Sequence, residues 1–132
     1  MKIALLYLIT TPILFAIDMV WLVLMRPFYK GQLGSLMADK PKWAAAIIFY
    51  LIYIAGILFF AVIPAHIERN WTMALINGAV LGLLCYATYD LTSLAIIDKF
   101  PVAMTVVDIV WGTVLTGGVA TISYYISNRL GM

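Results

Sequence analysis

The sequence predicts an all-α membrane protein, a bundle of four transmembrane helices with a short interfacial segment between helices 1 and 2. Three observations predict it. The 132 residues are 65% hydrophobic and only 11% charged. Their mean hydropathy is +1.06, and a water-soluble chain this short cannot bury so much apolar side chain. The apolar residues also fall into four runs, about 3–25, 43–63, 71–97 and 101–125, each near the roughly 20 residues that a spanning helix needs. The whole chain, 1–132, reads as one transmembrane domain.

The first span follows Lys2 and runs from Ile3 to Met25. It is too long for the apolar part of a signal peptide, has no small-residue cleavage site and contains Asp18 and Trp21, so it reads as a retained helix. Thr10-Thr11-Pro12 predicts a kink. Pro12 removes an amide donor, and a threonine hydroxyl is available to compensate the freed backbone.

Arg26 to Lys42 reads as the long loop. Tyr29, Leu33, Leu36 and Met37 recur at helical spacing, which predicts a short amphipathic piece on the membrane surface; Gly31 and Gly34 weigh against it. Arg26, Lys30, Lys40 and Lys42 would face headgroups. The loop reads as an anchor, with a gate or substrate access as the alternative.

The second span, Trp43 to Ile63, carries no charge and has Tyr50 and Tyr53 as its polar groups. Pro64 to Asn70 reads as a short polar turn, with the sole histidine, His66, solvated there. The third span ends near Ile97, with Asp98-Lys99 as the turn. Pro101 opens the fourth, as proline suits a first helical turn. Tyr124 and Tyr125 form an interfacial anchor near its end. Four spans place both termini on one side. Arg26, Lys30, Lys40, Lys42 and Lys99 lie on one face against Lys2, Arg69 and Arg129 on the other, so the positive-inside rule puts the 26–42 loop in the cytoplasm.

The most specific signal is depth. Asp90 and Asp108 lie nine residues either side of Lys99, or about 12–14 Å up antiparallel helices at 1.5 Å per residue. Asp18 precedes Arg26 by eight residues, which places it about 12 Å from the same face. Three aspartates from three helices therefore share one level, with Tyr50 near it. An intramembrane carboxylate marks a functional site by default. Three close carboxylates in a low-dielectric setting also require a proton or a cation among them, unless Arg26 folds back to pair with them.

Two patterns agree with this convergence. Asp18-Met-Val-Trp21 and Asp108-Ile-Val-Trp111 are near-identical units. A tryptophan three positions after an aspartate lies on the same flank, where its indole N–H can donate to a carboxylate. The flanking residues do not extend the match into a repeat. Gly78, Gly82, Tyr86 and Asp90 recur every four residues, as do Asp108, Gly112, Thr116 and Ala120. Small residues at that spacing let helices approach closely in lipid.

Asp18-x-x-Trp21, Tyr89-Asp90-Leu91-Thr92-Ser93-Leu94-Ala95, Pro101 and Asp108-x-x-Trp111-Gly112 together resemble the bacterial predicted membrane proteins grouped as domain of unknown function 2177. The resemblance covers almost the whole chain. It implies a small, multi-pass bacterial inner-membrane protein and carries no established activity, catalytic residue or cofactor.

Functional expectations therefore rest on the aspartates. The first is a pocket that binds or modifies a lipid or another apolar small molecule. Asp18, Trp21, Tyr86, Tyr89, Asp90, Thr92, Asp108 and Trp111 would bind the ligand or handle protons, with Arg26 and Lys30 at a phosphate headgroup. No nucleophile–base pairing supports hydrolysis. Three carboxylates suit a hard cation, yet their spacing fits no metal motif, so no metal ligand is assigned. Two alternatives stay open: an accessory or scaffold subunit of a membrane complex with structural aspartates, and proton or cation translocation by a homo-oligomer. A net charge of +2 argues against nucleic acid as a partner. The single cysteine, Cys85, excludes an internal disulfide and reads as a small buried hydrophobe.

Overall fold

The computed structural model describes residues 2–132, so Met1 of the expected domain lies outside the described residues. Four helices are long and apolar enough to cross a membrane, and no strand occurs among the described residues. The first helix is Ile3–Leu33. The second spans Trp43–Glu68 and contains a π-helical turn at Leu58–Val62. The third is Trp71–Ile96 and the fourth Val102–Arg129.

The first helix does not end near Met25. It passes both Pro12 and Pro27 and stops only where Gly34 takes a positive φ of 55° and donates its N–H to the Lys30 carbonyl. A short 3-10 turn, Gly34–Leu36, follows. A proline costs a helix one backbone bond and some crowding, and here the far side of Pro27 is anchored, because Tyr29 bonds into the bundle. Tyr29 and Leu33 are thus helical, and the interfacial segment shrinks to about 34–42. The threonine compensation also differs from expectation. Thr10 and Thr11 donate to the Leu6 and Tyr7 carbonyls, at 2.8 and 2.7 Å. The carbonyl that Pro12 deprives is Leu8's, four residues back.

The end of the second helix is another correction. Pro64 to Glu68 is helical, and His66 is buried there, not solvated. Its Nε2 lies 2.6 Å from the Ser127 hydroxyl, with its ring against Tyr124 at 4.7 Å. Pro64 cannot donate to the carbonyl four residues back, that of Phe60. Asn77 of the third helix fills the gap, its side-chain amide donating to the Phe60 oxygen at 3.0 Å. An amide from a neighbouring helix re-satisfies backbone that lipid would leave unpaired. The preceding π turn turns Phe59 and Phe60 outward, where they are exposed.

The third and fourth helices form the tightest pair, as their small-residue stripes predict. A Cβ built on Gly82 would fall 2.1 Å from the Gly112 carbonyl oxygen, and one on Gly112 would fall 2.1 Å from the Tyr86 ring. The first helix lies against the fourth, and the second packs on the third through its π turn. The first and third helices bury one narrow stripe and turn the rest outward, as lipid-facing helices do, whereas the fourth is buried on a broader face, with Leu115, Thr116, Gly117, Val119 and Ala120 all inside. On the first helix that stripe is Leu6, Thr10, Leu14 and Asp18. The interior is partly polar. Tyr53 bonds Thr116, and Thr10 bonds Ser123, each at 2.5 Å. Leu6, Leu14, Ile54, Ile57, Leu115 and Val119 fill the space between.

Candidate functional site

Towards the 34–42 segment the first and second helices are bridged by the Tyr50–Asp18 hydrogen bond and otherwise leave a gap. The gap between them is a cavity of ≈ 580 Å³. The carboxyl-terminal half of the first helix forms one wall. The start of the second helix, with Trp43, Ala46 and Tyr50, forms the other. Tyr86 and Tyr89 of the third helix and Met104, Asp108 and Trp111 of the fourth close the back. Met37, Ala38 and Pro41 edge the mouth. A separate depression of ≈ 450 Å³ lies along residues 94–100 and contains none of the three aspartates.

The polar groups of the cavity are wired across the first and fourth helices. Asp18 is buried and accepts from two donors, the Tyr50 hydroxyl and the Trp111 indole N–H, the latter at 3.2 Å. Trp21 donates to the Tyr29 hydroxyl at 3.1 Å, and Tyr29 donates in turn to Asp108 at 3.0 Å. The tryptophan of each Asp-x-x-Trp unit therefore serves the aspartate of the other unit, directly from Trp111 and through Tyr29 from Trp21. The two indoles stack, with centroids 4.1 Å apart and planes 4° apart. The spacing that puts aspartate and tryptophan on one flank thus makes a contact between helices.

Asp90 sits behind Asp108. Its relative exposure is 0%, and neither of its oxygens has a hydrogen-bond partner among the described residues. The neighbouring carboxyl group is that of Asp108. A carboxylate buried without a partner is costly.

Of the residues singled out from sequence, Asp18, Trp21, Arg26, Tyr86, Tyr89, Asp108 and Trp111 line the one cavity. Asp90 adjoins it through Asp108. Thr92 is elsewhere: it is exposed and its hydroxyl donates to the Thr88 and Tyr89 carbonyls of its own helix. Lys30 is exposed and not on the cavity wall. Arg26 is helical and exposed at the wall, and does not fold back onto the aspartates. Two members were not assigned from sequence. Tyr50 had only its depth as a signal. Tyr29 falls in the Arg26–Lys42 stretch that reads as a surface loop; its spacing of eight residues from Trp21 is the helical signal that finds it. Among the described residues no cluster of three or more metal-binding side chains occurs.

Residues 3–125 match the family model described as predicted membrane protein (DUF2177). No curated protein and no solved structure shows significant similarity to the chain.

Proposed function

The chain belongs to this family of predicted membrane proteins, and we propose that its work is done in the aspartate and aromatic cavity, which takes up an amphiphilic lipid or similar apolar small molecule from the bilayer. The observation that carries this reading is the cavity's mixed lining. Its volume, ≈ 580 Å³, falls within the range of about 300–1,000 Å³ usual for small-molecule sites. Leu22 and Val23 on its rim are 40% and 73% exposed on the bundle's outer surface, so an apolar chain can enter sideways from lipid. Asp108 and the phenols at the back provide the few convergent polar groups that orient a headgroup. Arg26 stands at the wall nearest the membrane surface, where a phosphate would lie.

The setting is the bacterial inner membrane, with the 34–42 segment and the cavity mouth towards the cytoplasm, on the balance of basic residues. A reporter inserted between Gly34 and Lys42 should read the cytoplasmic side and a carboxyl-terminal one the opposite side.

The binding reading is tested by native mass spectrometry of protein released from nanodiscs. One amphiphile should remain bound per chain, and Ala46→Trp, which fills the cavity from the second helix, should lose it. A chain that carries no adduct, or an adduct indifferent to Ala46→Trp, would leave the aspartates as structural groups of an accessory subunit.

A further inference from the structure

Resting on that cavity reading, we infer that the ligand is an organic cation, an ammonium group on an apolar body, seated against Asp108 within the aromatic walls. The argument begins with charge. Asp18 and Asp108 line one cavity, and all the donors that reach them are neutral: the Trp111 indole and the Tyr50 and Tyr29 phenols. No lysine, arginine or histidine among the described residues donates to either of them or to Asp90. A buried carboxylate without a cation is costly. A cationic ligand at Asp108 offsets a charge that no basic side chain reaches.

The walls say which kind of cation. Trp21, Tyr29, Tyr50, Tyr86, Tyr89 and Trp111 all contribute to the lining. Aromatic faces attract cations through their quadrupoles, most strongly when water is excluded, and enclose quaternary ammonium groups in this way. A hard metal ion needs six or more oxygen ligands. Here Asp18 already accepts at both oxygens, and no cluster of metal-binding side chains occurs among the described residues. Asp108 is different. One of its oxygens accepts from Tyr29, its side chain is only part-buried, and it lies on the cavity surface. It is the carboxylate a ligand reaches, with the orphaned Asp90 behind it.

The test uses the full chain in nanodiscs of a neutral glycolipid, which carries no ammonium group, and three probes with one ten-carbon tail: decyltrimethylammonium, 1-decanol and decyl sulfate. All are kept below micelle-forming concentrations, and partition into empty nanodiscs is subtracted. Intrinsic tryptophan fluorescence reads occupancy beside the Trp21–Trp111 stack. The ammonium probe should bind saturably and at least about tenfold more tightly than decanol, a step readily measured by titration. Asp108→Asn should weaken the ammonium probe by about tenfold or more while leaving decanol unchanged, because it removes charge and keeps shape. Asp108→Glu should restore the preference, and Asp98→Asn, outside the cavity, should not alter it. Equal affinities for ammonium and decanol, tighter binding of the sulfate, or an Asp108→Asn chain that still prefers the cation would each overturn the inference while leaving an amphiphile site in place. Failure of all three probes to bind saturably would remove the cavity reading as well.

Discussion

Adding a single methyl group at Gly82 should be far more damaging than adding one at Gly118, though both glycines lie in apolar spans and both substitutions are Gly→Ala. At Gly82 the new Cβ falls 2.1 Å from the Gly112 carbonyl oxygen and 2.7 Å from the Thr116 hydroxyl. Ordinary contact begins near 3.4 Å, so the third and fourth helices must separate by more than an ångström. The obstacle is backbone, which has no rotamer to escape into. Overpacking of this kind costs about 1–3 kcal/mol and sometimes more, and here it also loosens the stripe that holds Asp90 beside Asp108. At Gly118 a Cβ meets nothing within 4 Å, and alanine is the better helix former by up to about 1 kcal/mol. The two variants should therefore move in opposite directions. Thermal unfolding in one mild detergent, followed by circular dichroism, measures both against the parent. A Gly82→Ala chain that melts with the parent, or a Gly118→Ala chain that falls as far as Gly82→Ala, would refute the close-packed hairpin.

Further outcomes follow from single contacts. Asn77→Ala leaves the Phe60 carbonyl without the donor that stands in for Pro64, and should cost about 1–3 kcal/mol in the same melts; Asn77→Asp, an acceptor where a donor is needed, should do no better. Asp90→Asn replaces an orphaned buried carboxyl with a neutral amide and should leave the chain as stable or more so, since an unpaired buried charge is expensive; a clear loss of stability would mean that the carboxyl has a partner worth more than its burial. Trp111→Phe keeps an aromatic face against Trp21 but removes the donor to Asp18, and should cost about 1 kcal/mol or more. Tyr29→Phe should leave the Trp21 N–H and one Asp108 oxygen short of a partner and shift the tryptophan emission, whereas an unchanged spectrum would place Tyr29 outside the network.

Much of this architecture is written locally. The spans follow from composition, and the tight hairpin from glycines every fourth residue; helix rise alone brings Asp18 and Asp108 near enough in depth to line one cavity. What local pattern could not give is whether a helix survives a proline. Pro27 breaks one bond, but Tyr29 beyond it bonds to Asp108, 79 positions later in the chain, and that distant partner decides the outcome. His66 departs from its expected solvated setting for a related reason. Glu68, Arg69 and Asn70 beside it read as a turn, while its burial depends on Ser127 and Tyr124, 61 and 58 residues away. Thr92 fails the other way. It adjoins Asp90 in sequence, but on a helix the next residues face elsewhere, and its hydroxyl turns back to its own backbone. The exchange of partners between the two Asp-x-x-Trp units was visible only as a repeated pattern, since spacing gives the flank and not the neighbour.

The central claim is that an amphiphile occupies the space between the first, second and fourth helices, and photolabelling tests it most directly. A diazirine-bearing alkyltrimethylammonium is activated in nanodiscs holding the protein, and its attachment sites are mapped by peptide mass spectrometry. Labelling is expected at Leu22, Ala46 and Met104 and should fall away with excess unlabelled probe, while labelling at outward-facing Ile52 and Val114 is not competed. Labelling spread evenly over the lipid-facing residues, with no competition at the cavity wall, would contradict the claim.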